Sequence, residues 1–343
     1  TPAYVIDLAE LERHVCRIRE IAGQDIGLCY AMKANPFITR HMDRLVDKVE
    51  VCSPGELEIC KRMEIPPEDV VFSGVNKTAD DIREAVAYGA GLITAESCRH
   101  FELVRRYCED NACTTDVFLR LSDGYQFGMN KDVLERIIAK RAEYPYLHIC
   151  GIHYFSGTQK KSIDANLSEL EMLREYLEHL REKYGFEPEY LEYGAGMYHP
   201  YYRNEDFEAR YDGFEKLVES IRRLSFPGQV VLEMGRFFAA SCGDYLTEVQ
   251  DLKSVEQKNY CLVDGGIHHL NYFGQNMAMR TPVIEKMDGM EDTDAGSFLK
   301  FEEEFAKDCK WTICGSLCTF ADILARNVEF EEIHTGDILI FKN

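Results

Sequence analysis

Eight short β-rich runs, spaced by amphipathic stretches, constrain this chain more than any other feature. They are GLCYAMK (27–33), VEVCS (49–53), VVFSG (70–74), GLITA (91–95), DVFLRL (116–121), LHICGIHYF (147–155), EYLEYG (189–194) and VVLEMG (230–235). Between them lie segments such as PGELEICKRME, TADDIREAVAYG and SIDANLSELEMLREYLEHLREKYG, with apolar residues at three- and four-residue spacing. Such alternation builds a parallel sheet covered by helices, and eight repeats predict a closed (β/α)8 barrel. A further helix over 9–22 precedes the first strand.

After Gly235 the texture changes. YLTEVQDL, NYCLVDGG, KWTICG and DILIFKN read as strands with no helical pattern between them. The expected division is a barrel over 1–235 and a β-rich domain, sandwich- or barrel-like, over 236–343, with the first few residues pairing with the β domain. A length of 343 residues suits two domains. The stretch EKMDGMEDTDAGSFLKFEEEFAKD (285–308) is acidic and lacks β alternation, so it reads as an exposed excursion.

Composition removes several function classes. A net charge of −21 repels phosphate backbones and argues against a nucleic-acid surface. No run approaches the roughly 18 apolar residues of a membrane span, and the opening TPAYVIDLAELE has no basic stretch before an apolar core. Thirteen Cys without a CxxC pair point to a reducing compartment rather than a disulfide scaffold. The expected location is cytoplasmic. The absence of Met at Thr1 suggests that residues precede it.

In barrels of this kind the reacting groups gather at the C-terminal ends of the strands. Lys33 closes the first strand inside CYAMKAN, where apolar flanks partly desolvate the ammonium and favour a nucleophilic amine. Alone, it reads more simply as half of a salt bridge. Glu233 ends the eighth strand, where a carboxylate can keep a ring nitrogen protonated; its plainer reading is an ion pair with Arg236. YGAGM (193–197) and EMGRF (233–237) bring Gly194, Gly196, Gly235 and Arg236 to the rim where barrels commonly bind phosphate. Arg120 closes the fifth strand and could reach a phosphate or carboxylate. CSPGE and HYFSGTQ supply Ser53, Glu56, His153, Ser156 and Thr158, although Ser53 and Glu56 also fit a helix cap. Cys309, Cys314 and Cys318 lack a fourth ligand at zinc spacing, so no metal is expected.

Taken in order, TPAYVID, YAMKAN, VCSPGELE, FSGVNKT, GIHYFSGTQ, YGAGM, EMGR, VDGG, CGSLCTFAD and TGDILIF resemble the successive signatures of one family. It is the fold-type-III, alanine-racemase-like group of pyridoxal-phosphate decarboxylases, which includes the diaminopimelate and ornithine decarboxylases. The resemblance spans nearly the whole chain and implies pyridoxal 5'-phosphate as cofactor. It implies that Lys33 holds the cofactor as a Schiff base and that Glu233 faces the pyridine nitrogen. Gly194, Gly196, Arg236 and Thr158 would form the phosphate site, with Gly235 beside them. Glu50 and Glu56 match acids that assist around Lys33, and Arg120 matches an arginine that supports the site. Cys318 matches the residue that protonates the substrate α-carbon once carbon dioxide has left, and Asp322 matches a substrate-contacting acid. Both would enter from the partner subunit of a homodimer.

Three departures bear on substrate. Phe155 stands where relatives commonly carry a His stacked on the cofactor ring; it can stack but cannot hydrogen-bond. Thr319 follows Cys318 where diaminopimelate decarboxylases usually carry Glu. With VDGGIHH, this resembles members acting on conjugated substrates, such as the carrier-protein-linked glutamyl decarboxylase of butirosin synthesis. The chain stops at TGDILIFKN, before the place where relatives carry a Gly-Ala-Tyr segment, so the β domain is expected to be truncated at its end.

The expected activity is decarboxylation of a diamino acid or a conjugated acidic amino acid, free or carrier-linked, with no nucleic-acid or membrane partner. Arg280, in NYFGQNMAMRTP (271–282), is a candidate for binding a distal carboxylate. A racemase of the same fold typically faces the ring nitrogen with Arg, so Glu233 and Cys318 favour decarboxylation. A catalytically silent binding protein is the alternative from another class, and the retained Lys33, Glu233, Arg236 and Cys318 argue against it. A metal-dependent hydrolase would need several His at strand ends, and only His153 is so placed.

Overall fold

The computed structural model describes residues 2–275, 278–289, 305 and 309–342. The chain forms two compact units, a barrel unit of Leu11–His199 with Glu208–Ala239, and a β unit of Thr1–Glu10, Pro200–Phe207 and Ala240–Asn343. The division after the barrel thus falls at Ala240 rather than at residue 236, because Arg236–Ala239 forms one helical turn that stays with the barrel. Residues 200–207 belong with the β unit, an excursion that no change in composition marks.

Strand β1 (Ala3–Ile6) opens the chain within the β unit. The barrel is built from β2 (Ile26–Ala31), β3 (Lys48–Val51), β4 (Val70–Phe72), β5 (Leu92–Ala95), β6 (Thr115–Leu121), β7 (Leu147–Phe155), β8 (Tyr190–Gly194) and β9 (Gln229–Met234). All neighbours are parallel, and β9 closes the ring against β2 with Ile26 opposite Val230. Helices cover the outside, so these strands are buried on both faces and read as nearly unbroken apolar runs. Capping residues set where several helices begin. Ser53 accepts from the Glu56 amide, Thr78 forms a capping box with Asp81, and Ser97 accepts from the His100 amide.

Inside the barrel, Cys29, Val71, Leu92, Phe118, Cys150 and Val231 form a small buried cluster, with Tyr190 packed against it. The strands' later inward positions are polar instead. Glu50, Thr94, His153, Glu192 and Glu233 are all buried. On β5, β8 and β9, two residues separate the apolar plug from the polar layer, Leu92 from Thr94, Tyr190 from Glu192 and Val231 from Glu233.

In the β unit, β10 (Gly243–Val255), β11 (Lys258–Val263), β12 (Ile284–Met287), β13 (Lys310–Cys314), β14 (Ile323–Glu329) and β15 (Ile338–Phe341) form one mixed sheet in the order β12-β15-β10-β11-β13-β14. β1 pairs antiparallel with β10, Ala3 opposite Leu246, while β11 and β13 run parallel. Tyr202, Tyr245, Trp311, Ile313, Leu339 and Phe341 are among its buried core. Two expectations need correction here. The supposed excursion 285–308 begins inside β12, which pairs with β15, while 290–304 and 306–308 lie outside the described residues. The sequence reading also passed over β14, whose ILARNVE carries Asn327 at φ 54°, in a strand whose register against β13 shifts. Among the described residues no helix is long and apolar enough to cross a membrane.

Candidate active site

Lys33 sits in a single helical turn, Met32–Ala34, directly after β2. The two strands flanking β2 supply its partners. Its Nζ donates to Glu50 Oε2 on β3 at 2.9 Å and to Glu233 Oε1 on β9 at 3.0 Å, with Cys52 Sγ at 3.7 Å. Both carboxylates are almost fully buried, whereas half of the Lys33 side chain is open to solvent at the barrel mouth. Burial alone would lower the lysine's pKa, but the Glu233 and Glu50 charges outweigh it and hold the ammonium above the ordinary range. The two acids then differ. Burial lifts Glu50 above the usual carboxyl range, whereas Lys33 and His153 overcome burial at Glu233 and hold it well below. Glu233 is therefore the more acidic of the two.

The expected plain partner of Glu233, Arg236, is not what the buried strand end provides. Its second oxygen lies 3.0 Å from His153 Nε2, and both side chains are buried. His153 comes from β7, two residues before Phe155, and its place facing inward follows from strand alternation. Phe155 lies at the mouth with its ring centroid 6.0 Å from Lys33 Nζ and 6.0 Å from the Arg120 guanidinium. Arg120 is buried and ion-paired with Glu96 at 2.6 Å. Glu56 takes the structural role, its carboxylate accepting from the Cys52 amide at 2.6 Å.

The loops after β7 and β8 meet closely. A Cβ on Gly194 would lie 2.3 Å from Phe155 Cδ2, and one on Gly196, at φ +59°, would lie 2.0 Å from the Gly157 carbonyl oxygen. The Lys160 amide donates to the Gly196 carbonyl at 2.9 Å, tying the GTQ and GAG segments together. Thr158 is exposed on this loop, and Arg236 starts the turn that follows Gly235. A buried anion opposite an amine, beside a bare-backbone cradle, fits a cofactor with a carbonyl, a basic ring nitrogen and a phosphate.

Four residues of this region carried no signal in the sequence reading. Glu192 on β8 is fully buried, and burial raises its pKa to about 7 against the opposing pull of His153. Lys77 is buried with Nζ donating to the Gly74 carbonyl, and burial lowers its pKa to about 8. Cys52 and Glu96 are the others. Only the closed interior distinguishes such residues from solvent-facing ones.

Two expected substrate contacts are taken up within the β unit. Asp322 is buried, and its two oxygens accept from the Ile267 and Leu317 amides at 2.7 Å each, so within the chain it clamps two loops. Arg280 pairs with Glu205 at 2.5 Å and stacks 3.6 Å from the Tyr202 ring centroid, which leaves its guanidinium committed to the protein. Cys318 is exposed on the connection between β13 and β14. Among the described residues no group of three or more His, Cys, Asp or Glu is arranged to hold a metal.

A closed parallel barrel with an amine between two carboxylates at its mouth suits an enzyme that works through a carbonyl cofactor. Residues 8–240 match the family described as pyridoxal-dependent decarboxylase, pyridoxal binding domain. The chain belongs to this family of pyridoxal-phosphate-dependent decarboxylases. It is 26% identical to the L-glutamyl-[BtrI acyl-carrier protein] decarboxylase of Niallia circulans, over 100% of this chain and 83% of that one. It is 27% identical to the 2-[(L-alanin-3-ylcarbamoyl)methyl]-2-hydroxybutanedioate decarboxylase of Staphylococcus aureus, over 99% and 87%. In structure it is similar to M. jannaschii diaminopimelate decarboxylase in complex with L-lysine, with a TM-score of 0.82 at 22% identity, covering 100% of this chain and 81% of that one.

Proposed function

We propose that this enzyme decarboxylates an amino acid whose far end carries a conjugate, free or carrier-linked. The observation that carries the assignment of chemistry is Lys33 held between Glu50 and Glu233 at the mouth of the barrel. Lys33 supplies the amine that holds pyridoxal phosphate. The bound cofactor supplies an electron sink as the α-carboxylate leaves as carbon dioxide. Glu233, the more acidic of the pair, would hold a proton on the ring nitrogen. Phe155 covers the ring by stacking, and Arg120, fixed by Glu96, buttresses it. Gly194, Gly196, Gly235, Arg236 and Thr158 receive the phosphate. Cys318 returns a proton to the α-carbon, entering from the second subunit of a cytoplasmic homodimer.

The conjugated substrate is supported by two relatives named for substrates larger than a free diamino acid, at 26% and 27% identity over nearly the whole chain, beside diaminopimelate decarboxylases that cover 99% of the chain at 22–26% identity. Phe155 agrees, since it adds apolar cover without a hydrogen bond. Carbon-dioxide release, measured with and without added pyridoxal phosphate, tests this across diaminopimelate, lysine, ornithine, arginine, glutamate and glutamyl or citryl conjugates. Release from a conjugate alone is the expected result. Turnover of a free diamino acid would overturn the substrate assignment, and silence on all of them would favour a binding protein.

A further inference from the structure

Glu192 is a cost to the fold that packing does not explain. Both of its oxygens are buried without a hydrogen-bond partner among the described residues, and the weakly donating Cys29 thiol is its neighbour. An apolar side chain there would extend the plug below it and remove the desolvation penalty.

The strand register supplies the missing purpose. His153 on β7 stands directly opposite Glu192 on β8, and Gly194, two residues further along, stands opposite Glu233 on β9. His153 turns Nε2 to Glu233, while its Nδ1 is buried without a partner among the described residues. The groups facing Glu192 are Cys29 from β2, Glu50 from β3, His153 from β7 and Glu233 from β9, and Arg120 from β6 also acts on His153. With Lys33 balancing one of Glu50 and Glu233, and His153 the other, a third full negative charge has no counter-ion in this interior.

We propose that Glu192 is a positioning residue for decarboxylation: a buried carboxyl, in register with His153 on the neighbouring strand, whose charge biases the protonation of His153 and so sets how strongly Glu233 holds its own partner. Ionised, Glu192 favours the His153 imidazolium that pairs with Glu233. Protonated, it leaves His153 easier to deprotonate, and Glu233 then loses that counter-charge. The inference rests on Glu233 facing the cofactor ring, so the test separates the two.

The primary readout needs no cofactor. Histidine ring resonances of the full chain are followed against pH, His153 being assigned by its loss in His153→Gln. Glu192→Gln removes the anion without changing shape, and the His153 midpoint is expected to fall by about one pH unit or more, a tenfold loss of proton affinity. Glu192→Asp is expected to recover part of it. An unmoved midpoint in a folded Glu192→Gln chain overturns the proposal. In the loaded enzyme, the pH profile of the visible cofactor band is expected to move with the midpoint, and kcat to fall while KM holds. A moved midpoint with a band that responds to Glu233→Gln but not to Glu192→Gln also overturns it. A band that ignores Glu233→Gln as well sinks the reading of Glu233 instead.

Discussion

Lys33→Met removes the one cation, among the described residues, that both Glu50 and Glu233 touch and keeps most of the side chain's bulk. Breaking a buried ion pair from one side costs about 3–5 kcal/mol. Half of Lys33 is solvent-exposed, so screening brings the expected loss nearer 2–3 kcal/mol at neutral pH. The pH dependence is the sharper signature. Without the ammonium, burial and mutual repulsion raise the folded-state pKa of the two acids above their unfolded values. As pH rises from about 5 the unfolded chain then releases protons that the folded one retains, and folded stability falls. The deficit relative to the wild type is therefore expected to be small near pH 5 and full near pH 8. Urea unfolding of the cofactor-free chain, followed by circular dichroism at several pH values, measures it. A deficit that is flat with pH, or larger in acid, would refute the idea that Lys33 neutralises two buried carboxylates. The same variant is expected to lose the visible cofactor band.

Gly196→Ala places a Cβ 2.0 Å from the Gly157 oxygen in a left-handed conformation, so a stability loss of about 1–3 kcal/mol is expected together with weaker cofactor retention on dialysis; wild-type retention would remove this loop from the phosphate site. The Glu192 carboxyl, raised from 4.5 to about 7, destabilises the ionised fold by roughly 3 kcal/mol above pH 7 and by nothing below 4.5. The stability of Glu192→Gln relative to wild type is thus expected to grow between those limits, and a constant difference would contradict it. Cys318→Ser is expected to lower kcat about a hundredfold or more with cofactor loading unchanged; near-normal turnover would exclude Cys318 as the proton donor.

The barrel was legible because short β-rich runs alternate with amphipathic stretches, and eight such repeats count out a closed ring. Lys33 and Glu233 were legible as strand-end residues: Lys33 directly follows β2, which pairs with the β9 that carries Glu233. Glu192 was not, since an acid alternating with Leu191 and Tyr193 looks the same whether it faces water or a barrel interior. Asp322 and Arg280 show the converse. Their residue types suit a ligand, and the sequence does not reveal that within the chain the carboxylate also meets two backbone amides and the guanidinium sits on a tyrosine. Strand β14 was hidden by a left-handed Asn327, which breaks the alternation that strands advertise.

The pairing of β1 with β10 makes synthesis order matter. Ala3 must find Leu246, and the other side of that stretch of β10 waits for β15, where Leu246 meets Ile340. On the ribosome the barrel's last strand emerges before β10 does, so the whole (β/α)8 ring can close while the first strand still has an open edge. An N-terminal strand left unpaired for that long is an aggregation hazard, and closing so large a loop slows the step that relieves it. Fusions or tags that obstruct residues 3–6 should therefore trap a chain whose barrel is finished and whose sheet is not.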